Sequence, residues 1–228
     1  MKKVLAQISI ALFALGMLSA CGSSKDDTSA EKENGVKETQ TKEGTKTNAD
    51  KAESKEIKDG PLTKVGQWTK EDGGTKVTLA KIANPNKEIN LDPIKLNIKT
   101  IKFLERTNIQ DSEKEYIKEL YNKDISNKLN VIQISYTVEN TSDKDITFFA
   151  FNKLTTNTKQ QIDGMLNLIM NTDPRQYVGK VVTDGTLVVP YFQDSFDDLS
   201  LLTILTDNVF DTNNGKNYHA PEKVQIKF

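Results

Sequence analysis

The 228-residue sequence contains few of the residues on which several common protein classes depend. It has one cysteine, Cys21, and one histidine, His219. A disulfide framework needs paired cysteines, and a structural zinc site needs about four Cys or His ligands, so both are excluded. Lys and Arg number 31 against 32 Asp and Glu, which gives a net charge of −1. This balance leaves no excess of basic residues with which to bind nucleic acid.

Signatures of common enzymes are also absent from the sequence. There is no Gly-Xaa-Ser-Xaa-Gly motif, phosphate-binding loop or dinucleotide-binding fingerprint. A nucleophilic triad needs a base, and His219 lies between a predicted turn and the last predicted strand, which indicates an exposed loop. We therefore expect no catalytic residues, no metal ligands and no cofactor, and we predict that the protein is not an enzyme.

The N-terminal residues form the first of three unlike segments. Lys2 and Lys3 provide a short basic start, and an apolar run follows from Val4 to Leu18. This run is too short to span a membrane comfortably, and small residues follow it closely. A basic start, an apolar middle and a small-residue end are typical of a secretory signal peptide, here residues 1–20.

The end of this segment carries the most specific motif of the chain. Residues 18–21 (Leu-Ser-Ala-Cys) resemble a bacterial lipobox, the recognition site of lipoprotein processing. The resemblance implies that the Cys21 thiol receives a diacylglyceryl group and that a signal peptidase cuts between Ala20 and Cys21. Cys21 then becomes the mature N-terminus, and its acyl chains hold the protein on the outer, extracytoplasmic face of the cell membrane. The alternative is an uncleaved membrane anchor in which the cysteine is incidental.

Residues 22–59 form a polar linker without aromatic residues, and Val36 and Ile57 are its only large apolar side chains. Eight lysines against ten aspartates and glutamates give it a local charge of −2. Such a composition buries too little apolar surface to offset the entropy lost on ordering. We predict that residues 21–59 are a lipidated N-terminus and disordered tether, with a mean span of about 35 Å. A charged, solvent-exposed helix is the alternative.

Residues 60–228 hold fifteen of the sixteen aromatic residues and are predicted to form one folded domain. Trp68 packs a first strand onto this domain or belongs to a binding surface. Alternation of apolar and polar residues with period two predicts strands, with turn residues between them. The alternation changes phase before Ile101 and Phe103, which predicts a β-bulge that shifts which face is buried. The main predicted strands are Lys76–Ile82, Ile94–Lys99, Val131–Val138, Thr147–Leu154, Thr186–Phe192, Leu201–Val209 and Val224–Phe228.

Two segments show helical rather than strand spacing. Residues 111–125 place Ile117, Leu120, Tyr121 and Ile125 on one face, and Ser112 with Glu115 forms a capping-box signature. We predict one amphipathic helix inserted between two strands. A second, weaker helix is predicted at about residues 161–170, where Gly164 counts against it.

Three motifs carry a resemblance to a known family. They are the strand and turn at 131–144 (VIQISYTVENTSDK), the two glycines and apolar strand at 178–192 (VGKVVTDGTLVVPYF), and the hairpin turn at 211–218 (DTNNGKNY). Over residues 75–228 the chain resembles telokin-like immunoglobulin-fold domains of unknown function, which are common in lipoproteins of Gram-positive bacteria. The resemblance implies a mainly β fold, an immunoglobulin-like β-sandwich, with the helix at 111–125 as an insertion.

One acidic cluster, Asp194, Asp197 and Asp198, alternates with the apolar residues Phe196 and Leu199. This spacing favours a loop or short helix with its apolar side buried and its acids in solvent. The alternatives are a Ca²⁺ site or an acid–base pair. The turn at 211–215 resembles a calcium loop, but its glycine comes one place early and no Glu stands at the twelfth position, so we predict a hairpin turn.

These features predict a membrane-anchored lipoprotein that displays a non-enzymatic β-sandwich for interaction with a protein or ligand. The expected partners are the membrane, through the lipid on Cys21, and an unidentified protein or ligand, with no nucleic acid. The alternatives are an extracytoplasmic module that binds a small ligand or metal, and a hydrolase that uses aspartate residues.

Overall fold

The computed structural model describes residues 55–169 and 175–228. The predicted signal peptide, Ala20, Cys21 and nearly all of the predicted tether lie outside the described residues. In the described part the chain forms fourteen β-strands and one α-helix. In chain order they are β1 Trp68–Lys70, β2 Lys76–Ala83, β3 Lys87–Leu91, β4 Ile94–Thr107, α1 Asp111–Tyr121, β5 Lys128–Asn140, β6 Ile146–Thr147, β7 Lys153–Thr156, β8 Gln161–Asp163, β9 Gln176–Tyr177, β10 Val181–Tyr191, β11 Leu201–Leu205, β12 Val209–Asp211, β13 Asn217–His219 and β14 Lys223–Lys227.

Six of these strands form one antiparallel sheet, called the large sheet below. Its order is β1-β2-β4-β5-β10, and β3 pairs with β4 as well. The two long central strands, β4 and β5, pair from Ile94 with Asn140 to Thr107 with Lys128. Both are rich in β-branched residues, which suit the pleated surface of a sheet.

Two smaller sheets of four strands lie against the large sheet. Their orders are β14-β11-β7-β8 and β13-β12-β6-β9. Side chains of the large sheet, such as Ile134 and Val189, share one buried cluster with Leu154 and Ile204 of the first small sheet and Val209 of the second. The face of the large sheet toward this cluster is called the inner face below. The predicted mainly β fold, a β-sandwich with one inserted helix, is confirmed.

The predicted bulge in β4 is present, between Ile98 and Thr100. Ile94 and Ile98 before the bulge, and Ile101 and Phe103 after it, are fully buried in the same inner cluster. The extra residue at the bulge shifts the alternation by one position, so the buried residues are even-numbered before it and odd-numbered after it. Both sets therefore lie on the same face of the strand. The phase change therefore marks a continuous inner face, and burial does not move to the opposite face.

Helix α1 begins at Asp111, as predicted, but ends at Tyr121 and not at Ile125. The N-cap is Gln110, whose carbonyl accepts hydrogen bonds from the N–H groups of Glu113 and Lys114, so the capping box predicted at Ser112 is wrong. The helix ends at Tyr121 because Asn122 adopts a left-handed conformation, with φ of 51°, and its N–H bonds to the Lys118 carbonyl. Asparagine tolerates this conformation and commonly ends helices.

The second predicted helix is wrong. Gln161–Asp163 forms strand β8, which pairs with β7, and turns follow it. A Cβ atom on Gly164 would lie 1.9 Å from the Phe151 carbonyl oxygen, so the chain passes close to a neighbouring backbone here. Tertiary contact, which a local pattern does not record, decides the structure of this segment.

Two predicted strands are each divided in the structure. Thr147–Leu154 becomes β6 in the second small sheet and β7 in the first, and Leu201–Val209 becomes β11 and the start of β12 in the same way. Phe148 and Phe151 between β6 and β7 are buried, because the chain there crosses between the small sheets through the core. A continuous apolar run is therefore predicted as one strand, although its two ends pair with strands of different sheets.

The opposite, outer face of the large sheet carries a second apolar cluster. Val77, Leu104, Val131 and Val188 project from four neighbouring strands, and Ile117 of α1 packs against them. Tyr121 donates a hydrogen bond to the Leu166 carbonyl and contacts Phe192 edge-on, with ring centroids 5.6 Å apart.

In the described ranges the structure contains no helix with the length and apolar character needed to cross a bilayer.

Candidate functional site

The residues singled out in the sequence take different places in the structure. Asp194, Asp197 and Asp198 are exposed on an irregular segment, whereas Phe196 and Leu199 are buried beneath it, as the alternation predicts. Among the residues that the structure describes, no group of three or more His, Cys, Asp or Glu side chains is arranged to hold a metal ion. The acidic cluster is therefore a solvated loop. Cys21 and Ala20 lie outside the described residues.

The turn after β12 is the predicted hairpin. The Asp211 carboxylate accepts hydrogen bonds from the backbone N–H groups of Asn213 and Asn214 and from the Tyr218 hydroxyl. These bonds close the turn and explain the run of short polar residues. His219 was predicted in an exposed loop, but it is half-buried at the end of β13, with its Nε2 3.4 Å from Glu222 Oε1.

An ion cluster on the outer face joins three elements. Arg106 of β4 is buried and donates from Nη2 to Glu71 Oε2, 2.5 Å away, in the turn that follows β1. Arg106 also donates to both carboxylate oxygens of Glu113, in the first turn of α1. One guanidinium thus holds two carboxylates, which ties the β1–β2 turn and the helix to the central strand.

The charges in this cluster do not cancel. Two carboxylates share one cation, and both lie in a poorly solvated environment. Burial raises the pKa of the Glu71 carboxyl above its ordinary value, and the attraction of Arg106 only partly opposes this shift. Desolvation penalises the ionised form of an acid, and the second carboxylate adds repulsion.

A cavity of about 170 Å³ lies beside the ion cluster, between the outer face and the segment that enters the domain. We call it the entry cavity. Its floor is apolar, and its wall is the chain from Lys58 to Leu62 and the strand β1 with the turn that follows. The lining residues are Lys58, Asp59, Gly60, Pro61, Leu62, Thr69, Lys70, Glu71, Asp72, Val77, Lys102, Leu104 and Gln133.

The wall of the entry cavity is held by backbone pairing. Ile57 donates its N–H to the Trp68 carbonyl, at 2.7 Å, and Trp68 donates to the Lys55 carbonyl, at 3.0 Å. Glu56 forms a parallel bridge with Trp68, and β1 pairs with β2 through Trp68 and Thr78. The backbone of Trp68 therefore attaches this first strand to the sheet, and its ring lies 4.5 Å from the Lys76 ammonium. The described chain begins beside the cavity.

Two polar side chains of the entry cavity have no partner within the described residues. Lys102 on β4 and Gln133 on β5 are half-buried neighbours in the strand pairing. Neither takes part in a hydrogen bond or ion pair among the residues described. Burial lowers the pKa of the Lys102 ammonium below its ordinary value. A partly desolvated cation without a counter-charge is a place where an anion gains attraction at little further desolvation cost.

The remaining charges of the entry cavity lie at its mouth. Lys58, Asp59, Lys70 and Asp72 are exposed, with two charges of each sign. Glu71 is already bound by Arg106. Lys102, by contrast, has no ion-pair partner among the described residues that line the cavity.

Sequence reasoning did not single out Lys102 and Gln133. Each occupies an alternate position of a predicted strand or its extension, where a polar residue indicates exposure to solvent. Lys102 and Gln133 are partly buried because the entering chain and α1 cover the outer face of the large sheet. This covering is seen only in the folded structure, since no sequence pattern identifies the residues that pack on an outer face.

Comparison with known proteins adds little to this picture. No protein-family model matches the chain. No curated protein matches it. A solved structure similar to this chain is "The crystal structure of a functionally unknown protein from Listeria monocytogenes EGD-e". It has 18% sequence identity and a TM-score of 0.47, and the match covers 67% of this chain and 86% of that chain.

Proposed function

We propose that the chain is a membrane-anchored extracytoplasmic lipoprotein whose β-sandwich is a non-enzymatic binding module. The observation that carries the proposal is the position of the single cysteine. Cys21 ends a lipobox-like motif, directly after an apolar run and directly before a polar linker. A lipid anchor needs this order, because the thiol must lie at the membrane surface and the folded domain must clear it.

Two further features support the binding role. The motifs of residues 131–144, 178–192 and 211–218 resemble telokin-like immunoglobulin-fold domains that occur in lipoproteins. The entry cavity combines an apolar floor with two half-buried polar side chains, Lys102 and Gln133, which gives a small molecule both apolar surface and hydrogen-bond donors. Its wall includes Lys58 and Asp59, the last residues of the predicted linker.

The anchor is tested by changing Cys21 to Ser and following the protein in a Gram-positive host. The cells are fed a fatty acid that carries an alkyne, and the protein is recovered from membrane and soluble fractions. We expect the unchanged protein to be labelled and membrane-bound, and the Cys21→Ser variant to lose its label. Ser23→Ala, two residues beyond the cysteine, is the matched control and retains both properties. Equal labelling of the Cys21→Ser variant would contradict the anchor.

A further inference from the structure

The entry cavity is shaped and charged for one class of small molecule. Leu62, Val77 and Leu104 supply an apolar floor, with exposed fractions of 7%, 4% and 3%. An engineered apolar cavity of about 150 Å³ holds benzene, so a cavity of this size accepts an apolar group of about six carbon atoms. The floor therefore suits a short branched chain or a single ring.

The polar end of the cavity selects the charge of the ligand. The Lys102 ammonium has three N–H donors, and the side-chain amide of Gln133, the residue paired with Lys102 on the neighbouring strand, has two more. An ionised acceptor satisfies both groups better than a neutral one, because a hydrogen bond with an ionised donor or acceptor is about twice as strong as one between neutral groups. A cationic ligand has no comparable partner inside, because the Glu71 carboxylate is held by Arg106.

Nearby carboxylates restrict the ligand to a single negative charge. Glu71, Asp59 and Asp72 all line the cavity, and each repels a second anionic charge. A phosphate dianion placed on the apolar floor has only the Lys102 ammonium beside it, because Lys58 and Lys70 are exposed at the mouth. A carboxylate carries one charge and two acceptor oxygens, one for Lys102 and one for Gln133.

We propose that the entry cavity binds a small monocarboxylate with a short branched or cyclic apolar arm. The carboxylate pairs with Lys102 and Gln133, and the arm lies on Leu62, Val77 and Leu104. This inference rests on the binding role proposed above and names its ligand class. Because part of the cavity wall is the chain from Lys58 to Leu62, where the predicted linker ends, the bound acid also fastens that chain to the sheet.

The first test uses the full, unmodified chain purified in detergent. Lysine side chains are acetylated with an N-hydroxysuccinimide ester, and the rate at Lys102 is measured by peptide mass spectrometry. Lys227, exposed on β14 of a small sheet, is the internal reference. We expect 4-methylpentanoate or benzoate to slow acetylation of Lys102 saturably and to leave Lys227 unchanged. The neutral probe 4-methylpentanamide leaves both rates unchanged.

The second test measures affinity by calorimetry with the same probes. We expect Lys102→Met to weaken carboxylate binding about tenfold or more, and Lys227→Met to leave it unchanged. Thr69→Phe, which fills the cavity from β1 and keeps Lys102, also abolishes binding. The inference is overturned if millimolar acid gives no protection of Lys102, or if the acid and the amide protect it equally. Because both tests use detergent-solubilised protein, their outcome is independent of the Cys21 anchor.

Discussion

Gly185 of β10 lies directly opposite Tyr136 of β5. An added Cβ at this position would lie 2.2 Å from the Tyr136 ring carbon Cζ, so the ring covers the glycine backbone. Tyr136 is fully buried and packs edge-on against Phe151, with centroids 4.8 Å apart, and it has no space to move into. The glycine is thus required by close packing across two strands.

We expect Gly185→Ala to lower the free energy of unfolding by about 1–3 kcal/mol, the usual cost of overfilling a packed core. The measurement is urea denaturation followed by fluorescence of Trp68. Val182→Ala changes an exposed residue of the same strand and is the control, with little effect expected. A stability equal to that of the unchanged protein would show that the Tyr136 ring is free to move.

Glu71 gives the protein a characteristic dependence of stability on pH. Burial raises its pKa in the folded state above the ordinary value of 4.5. When the pH lies between the ordinary pKa and the raised pKa of the folded state, the folded protein binds more protons at Glu71 than the unfolded protein does. Stability contributed by this group is therefore complete below about pH 4.5 and is lost as the pH rises through the raised pKa.

The comparison of unchanged protein with Glu71→Gln isolates this effect. Glutamine can still accept a hydrogen bond from Arg106 but does not ionise. We expect the unfolding free energy of the unchanged protein to fall relative to that of Glu71→Gln as the pH rises from about 4.5 to 8. A difference that is constant over this range, or that grows in favour of the unchanged protein, contradicts the assignment.

At the scale of elements, Arg106 links the β1–β2 turn, the strand β4 and the helix α1. We expect Arg106→Met to cost about 3–5 kcal/mol, because it leaves two buried carboxylates without a cation. Urea unfolding at pH 7 measures the loss. Adding Glu71→Gln and Glu113→Gln to Arg106→Met removes the stranded charges, and we expect this triple variant to recover most of the stability. A triple variant as unstable as the single one would show that shape, and not charge, is the role of Arg106.

The elements that sequence predicts well are those with strict periodicity and local contacts. The alternation of residues 131–138 lies within β5, the phase change marks the real bulge in β4, and the spacing of residues 111–121 marks α1. The divided strands and the wrong second helix depend on contacts distant in sequence, such as Gly164 against Phe151. Lys102 and Gln133 were missed for the same reason, because a local pattern cannot show that the outer face is covered.

At the scale of the whole molecule, the outer face of the large sheet brings the distinctive features together. The entering chain, the entry cavity, the Arg106 ion cluster and α1 all lie on it. The inner face, by contrast, is a continuous apolar core that holds the small sheets in place. Binding on the outer face would therefore act on the segment nearest the linker and leave the sandwich core unchanged.

The central proposal, a lipid anchor at Cys21, is tested most directly by the mass of the mature N-terminal peptide. The protein is extracted from the membranes of the cells that make it, digested, and its N-terminal peptide is analysed by tandem mass spectrometry. We predict a peptide that begins at Cys21 and carries a diacylglyceryl group on the thiol. A peptide that still contains Ala20, or one that begins at Cys21 with a free thiol, would contradict the proposal.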